Sequence, residues 1–145
     1  MCYFMNINTN NIFVDTNILV GAIKNLQDDD KCLKYLFSLT GKKLFVSSLS
    51  IAQVVSVLQK YKIKTDSEVR EIINNYLTKF YIIPFSENDI KNALLIENRD
   101  MEDNIQFVLS AQKHCYYFVT NNKKDYIDFS NIKVIKSKEH RIIKK

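Results

Sequence analysis

Short apolar runs alternate along this chain with longer stretches whose apolar residues recur every three or four positions. Ile12-Phe13-Val14 runs into Asp15, and Leu44-Phe45-Val46 runs into Ser47-Ser48. Phe80 to Ile83 stops at Pro84, Tyr116 to Val119 stops at Thr120-Asn121-Asn122, and Ile132 to Ile135 comes last. Apolar runs this short, bounded by turn formers, read as parallel strands covered on both faces. The stretches between them read as helices. Ile18–Lys24 follows the first strand. Lys31–Leu39 has Asp28, Asp29 and Asp30 before it, because acidic side chains suit a helix N-terminus, and Gly41 stops it. Ile51, Val54, Val55 and Leu58 carry a helix through Gln59. Val69, Ile72, Ile73, Tyr76 and Leu77 line one side of the next, capped by Asp66 or Ser67. Ser86 caps a helix over Asp89–Glu97, and Glu102 or Asp103 opens another that reaches His114. Strands alternating with helices predict an α/β fold, a three-layer α/β/α sandwich around a parallel sheet of about five strands.

Length and composition narrow the field. The chain has 145 residues, enough for a single domain with a substantial core. Residues 1–10 read as a loose lead-in and 136–145 as a basic tail. Two glycines and one proline argue against disorder and against phosphate-cradling glycine loops. No apolar run has membrane-spanning length, and the N-terminal stretch is too short and too polar for a secretory signal. Three cysteines, Cys2, Cys32 and Cys115, share no metal-ligand spacing, so reduced thiols in a cytoplasmic protein are expected. The net charge is +5, with lysines gathered at 60–64, at 123–124 and from 133 to 145. Such a balance favours a polyanionic partner, nucleic acid first; the same lysine content also suits an ordinary soluble surface.

The acidic residues carry the chemistry. Asp15 ends the first strand, at the edge where open α/β sheets bind ligands, although capping the following helix is an equally good use for it. Glu102 and Asp103 open a helix, and Asp125 follows the fourth strand after a polar turn. Two carboxylates held about 5 Å apart repel by roughly 3 kcal/mol at an effective dielectric of about 20. A cluster of this kind calls for a cation, a shared proton or lysine partners. Hard oxygen ligands suit Mg²⁺ or Mn²⁺, whose chemistry at phosphodiesters is activation of water and stabilisation of developing charge. His114 at a helix end and His140 in the basic tail read as structural. The aromatic residues fall on core positions, which offers no base-stacking platform.

Four segments resemble the motifs of the PIN domain, a metal-dependent nuclease fold that includes many toxin–antitoxin ribonucleases. They are Ile12 to Asn17, Ser47 to Gln53, Asp100 to Gln106 and Val119 to Tyr126, in the family's order. The resemblance runs from Asn11 to about Ile135. It implies a sheet order of 3-2-1-4-5 and Asp15, Asp103 and Asp125 as catalytic and metal-binding residues. Asn17, Gln53, Glu102, Thr120 and Asn122 would support them, with Asp100 in reserve. It implies Mg²⁺ or Mn²⁺ as cofactor and RNA as substrate, single-stranded or structured, with tRNA a candidate. An antitoxin protein and a homodimer are the implied protein partners, and no membrane is.

The chain departs from the family's pattern at two positions. Gln53 stands where the second motif usually carries a glutamate, and Asn122 stands where many members carry an aspartate. A weaker cation site is the expected consequence. A catalytically weakened RNA-binding or interaction module on the same fold is therefore the alternative to an endoribonuclease. A phosphate-accepting receiver domain is more distant, since it would want an acidic pair after the first strand.

Overall fold

A computed structural model describes residues 7–97, 100–126, 129 and 132–145. Its centre is a five-stranded sheet of β1 (Asn8–Val14), β2 (Lys43–Ser47), β3 (Tyr81–Ile83), β4 (Cys115–Val119) and β5 (Lys133–Ile135). The strands are all parallel and lie in the order β3-β2-β1-β4-β5. This is the predicted order.

Side chains alternate across a strand, so register decides which residues share a face. Phe13 pairs with Phe45 on one side and Phe118 on the other. These three rings form the core beneath α5 (Glu87–Leu94) and α6 (Met101–Gln112), with Ile105, Val108 and Leu109 of α6 packed on them. The alternate positions Ile12, Val14, Leu44 and Val46 face the other layer. That layer is built from α1 (Thr16–Ile23), α2 (Gln27–Ser38), α3 (Ser48–Lys60) and α4 (Asp66–Lys79). From β1 the chain moves outward through β2 to β3, then returns to β4 on the far side of β1. The crevice between the C-terminal ends of β1 and β4 is thus the place where strand order reverses, which is where such sheets bind ligands. Among the described residues, no helix is long and apolar enough to cross a membrane.

Several boundaries differ from the sequence expectation, each for a local reason. The lead-in is shorter than residues 1–10: β1 begins at Asn8, where its amide donates to the His114 carbonyl across 2.8 Å. Cys2 lies outside the described residues. Helix α2 starts at Gln27, so the three aspartates sit inside its first turn rather than ahead of it. Thr65 caps α4, closing a reciprocal box with Glu68, where Asp66 or Ser67 was expected. Helix α5 begins at Glu87 and ends at Leu94, two to three residues before the expected span, and Asp100 caps α6. The basic tail is a packed element: Ser137–Ile142 forms a 3-10 helix, Ile143 is fully buried, and its carbonyl accepts from Tyr35 Oη at 2.5 Å.

Candidate active site

Asp15 sits where β1 turns into α1 and is 5 % exposed. Its Oδ1 accepts from the Thr16 amide at 2.8 Å, so the capping role expected of it is real. Its Oδ2 accepts from Thr120 Oγ1 at 2.9 Å and Asn17 Nδ2 at 3.1 Å. Burial raises the Asp15 pKa, and these donors oppose the rise. Asn17 does a second job: its Oδ1 accepts from the Asn121 amide at 2.9 Å, which ties the turn after β4 to α1.

Asp103, in the first turn of α6, reaches the same place from the opposite layer. The hydroxyl of Tyr126 donates to Asp103 Oδ1 at 2.9 Å and lies 3.4 Å from Asp15 Oδ2. Tyr126 is fully buried and holds two carboxylates from distant parts of the chain on either side of one phenol. Burial, with the charges of Asp100, Asp15 and Asp125, pushes the Asp103 carboxyl up to about 6. Both aspartates also push the Tyr126 phenol upward, after burial, so it stays a neutral donor.

A cleft of about 360 Å³ opens over this pair, lined by Asp15, Thr16, Asn17, Val20, Gln53, Val57, Glu102, Asp103, Gln106 and Asn122. Its charged lining is entirely acidic. Of the residues read from the sequence, Asp15, Asn17, Gln53, Glu102, Asp103 and Asn122 meet here, and Thr120 stands directly behind Asp15. Asp125 does not line the cleft. It lies in a short 3-10 turn, Lys123–Asp125, close enough to raise the pKa of Asp103. Among the described residues, no three His, Cys, Asp or Glu side chains gather tightly enough to hold a metal ion by themselves. The donor set still suits a hard cation of the magnesium type. Such an ion takes one or two carboxylates and fills its remaining positions with water and substrate phosphate. Asp15 and Asp103 can supply that pair.

The wall of the cleft is a polar network that the sequence reading did not find. Thr16 Oγ1 lies 2.6 Å from Gln53 Oε1 and 2.8 Å from Ser50 Oγ. Gln106 Nε2 donates to Ser50 Oγ at 2.9 Å, and Ser47 Oγ donates to Gln106 Oε1 at 2.8 Å. Ser47, Ser50 and Gln106 are buried, and each polar group needs a partner there. Ser47 closes the second apolar run and caps α3; the amide of Gln106 on the buried side of α6 was the available signal. Tyr126 was read simply as the aromatic of the fourth segment, and its hydroxyl is what joins the two carboxylates.

The chain is 30 % identical over 128 residues to Ribonuclease VapC1 of Aquifex aeolicus (strain VF5), covering 82 % of this chain and 86 % of that protein. The fold is shared with a chain of Rickettsia felis VapBC2 bound to a DNA fragment from its promoter. That match has a TM-score of 0.65 at 20 % identity, over 87 % of this chain and 98 % of the other. A toxin–antitoxin complex from Klebsiella pneumoniae matches with a TM-score of 0.66 at 18 % identity, over 87 % and 97 % of the two chains. The family description PIN domain fits residues 12–133, and with that span of sequence and this strand order the chain belongs to the PIN domain family.

Proposed function

We propose that this protein is a divalent-cation-dependent endoribonuclease, acting in the cytoplasm as the toxin of a toxin–antitoxin pair. The observation that carries the reading is the meeting of Asp15 and Asp103 in one cleft with an all-acidic charged lining. Such a pair is costly unless a cation joins it. Asp15 and Asp103 would hold Mg²⁺ or Mn²⁺, which when bound activates water for attack on a phosphodiester and offsets the charge that develops. The chain's own part is placement. Thr120 and Asn17 fix the Asp15 carboxylate, and Tyr126 fixes that of Asp103. Asp125, outside the cleft, adds negative potential that favours the cation. Similarity to Ribonuclease VapC1 supports RNA as the substrate, and the toxin–antitoxin assemblies that share the fold support an antitoxin partner.

A second reading, a weakened RNA-binding module, draws on the amide of Gln53 and on the placement of Asp125 outside the cleft. One experiment separates the two. Purified protein is incubated with total RNA in Mg²⁺, in Mn²⁺ and in EDTA, beside Asp15→Asn and Asp103→Asn. Cleavage that needs the metal and falls at least about a hundredfold in both variants supports the enzyme. RNA binding without cleavage supports the module. Cleavage at the wild-type rate in EDTA removes the metal-based reading altogether. A short upstream reading frame encoding a DNA-binding protein, and rescue of growth by its co-expression, would test the toxin assignment.

A further inference from the structure

Gln53 lines the cleft, and its carbonyl oxygen is hydrogen-bonded to Thr16. Thr16 Oγ1 lies 2.6 Å from Gln53 Oε1, a separation typical of a hydroxyl donor on an oxygen acceptor and short for an amide donor. The network behind it can run in the same sense. Ser47 gives its proton to Gln106 Oε1 and Gln106 Nε2 gives one to Ser50. Ser50 can then donate to Thr16, and Thr16 to Gln53. Each hydroxyl in this chain donates once, and the relay ends on an acceptor. The Gln53 oxygen is therefore committed to the protein. Its Nε2, with two N–H donors, has no hydrogen-bond partner among the described residues, and Gln53 belongs to the wall of the acidic cleft.

We infer that Gln53 is a substrate-binding residue that donates from Nε2 to a phosphate oxygen of the RNA backbone, and that it is not a stand-in for a cation ligand. This rests on the ribonuclease reading of the same cleft. The chemistry is complementary. A phosphodiester entering between Asp15 and Asp103 brings negative oxygens into a negative site, and a cation held by those carboxylates would offset part of that charge. A neutral amide on the α3 wall meets them with donors and adds no charge of its own. A glutamate at this position would keep the bond from Thr16, because either carboxylate oxygen can accept it, but would present an anion to the phosphate. The substitution thus changes the cleft-facing atom and little else.

The test compares wild type with Gln53→Glu and Gln53→Met, the second keeping the length and volume while deleting the amide. Binding of fluorescein-labelled oligouridylate is followed by anisotropy in Ca²⁺, a hard cation that occupies carboxylate sites while slowing cleavage, and Mg²⁺ binding is followed by calorimetry without RNA. Circular dichroism establishes that each variant folds. The expected result is that Gln53→Met binds the RNA about tenfold more weakly and Gln53→Glu more weakly still, while Gln53→Met leaves Mg²⁺ affinity within about twofold. With Mg²⁺ and RNA both present, the loss falls on KM more than on kcat. Wild-type RNA affinity in Gln53→Met overturns the inference and leaves the ribonuclease reading standing, as does a tenfold weaker Mg²⁺ affinity in that variant. A wild-type protein that neither binds nor cleaves RNA overturns both.

Discussion

Removing the charge of Asp103 should stabilise the metal-free protein, and by an amount that depends on pH. The Asp103 carboxyl titrates near 6 in the folded chain against 3.8 ordinarily, chiefly because it is buried and next to the carboxylates of Asp100, Asp15 and Asp125. Between those two values the folded protein binds a proton that the unfolded chain has already lost. Stability must therefore fall as pH rises through this window, and the penalty is complete once the pH exceeds the folded pKa. At about 1.4 kcal/mol per pH unit the whole effect would approach about 3 kcal/mol. Solvent around this partly exposed group reduces it to about 1–2 kcal/mol. Asp103→Asn keeps an oxygen that can accept from Tyr126 and lacks the titration. In EDTA the variant and wild type should melt together near pH 4. The variant should then gain steadily through pH 6 and hold a lead of about 3–6 °C at neutral pH. Saturating Mg²⁺ should narrow or reverse that lead, since only the wild type keeps both carboxylates for the cation. Melting curves across this range, with and without metal, decide the matter. A difference between the two proteins that stays constant with pH would refute the picture of a carboxylate strained by its neighbours.

Two further substitutions probe the scaffold that positions the cleft. A methyl group at Gly21 would sit 1.7 Å from the Asp29 carboxylate, which is buried and accepts from Asn121 Nδ2 at 2.8 Å; Gly21→Ala should cost at least about 1–3 kcal/mol in urea denaturation. Thr120→Val removes the shortest side-chain donor to Asp15 at nearly constant volume. It should destabilise by about 1–3 kcal/mol at neutral pH and raise the Asp15 pKa further, as read by carboxyl carbon NMR.

The strands were legible because five short apolar runs each stop at a polar or turn-forming residue. The alternation of Ile12, Phe13 and Val14 across the sheet then follows from the pleat. That Asp15 and the start of α6 meet was legible because one lies at a strand end and the other in a helix's first turn, and parallel α/β topology brings such positions together; the choice of Asp103 over Glu102 came from the resemblance to the PIN motifs. What was hidden depends on geometry that neighbouring residues share. Thr65, Asp66 and Ser67 are all good caps, and the backbone bend at Thr65 alone selects among them. Asp29 looked like a solvated helix starter. It is buried because the turn after β4 crosses α2, where Asn121 reaches both Asp29 and Ser137. That same crossing packs the C-terminal 3-10 helix, and the lysines in and around it hide the apolar anchor Ile143 in the sequence. Tyr126 was hidden for a different reason. An aromatic ring in the core explains itself by burial, and nothing in a single sequence shows whether its hydroxyl has work to do.

Charge in this molecule is distributed on two length scales, and the proposed activity uses both. The chain as a whole carries +5, so at distances beyond the cleft it attracts a polyanion, an effect that salt screens over about 10 Å. Inside the cleft the sign reverses, because Asp15, Glu102 and Asp103 are its charged lining residues. A phosphate drawn in by the outer field would meet repulsion at the last few ångströms unless something offsets it. A cation held by Asp15 and Asp103 would do so. The neutral donor of Gln53 would add to it without the like-charge penalty that a fourth carboxylate would bring. A glutamine rather than a glutamate at position 53 gives the cleft one carboxylate charge fewer and, on this proposal, one phosphate donor more for the substrate. Affinity for RNA is favoured over affinity for the cation. A site of that kind works best when the phosphate helps to hold the ion it needs, so RNA and Mg²⁺ should each strengthen the binding of the other.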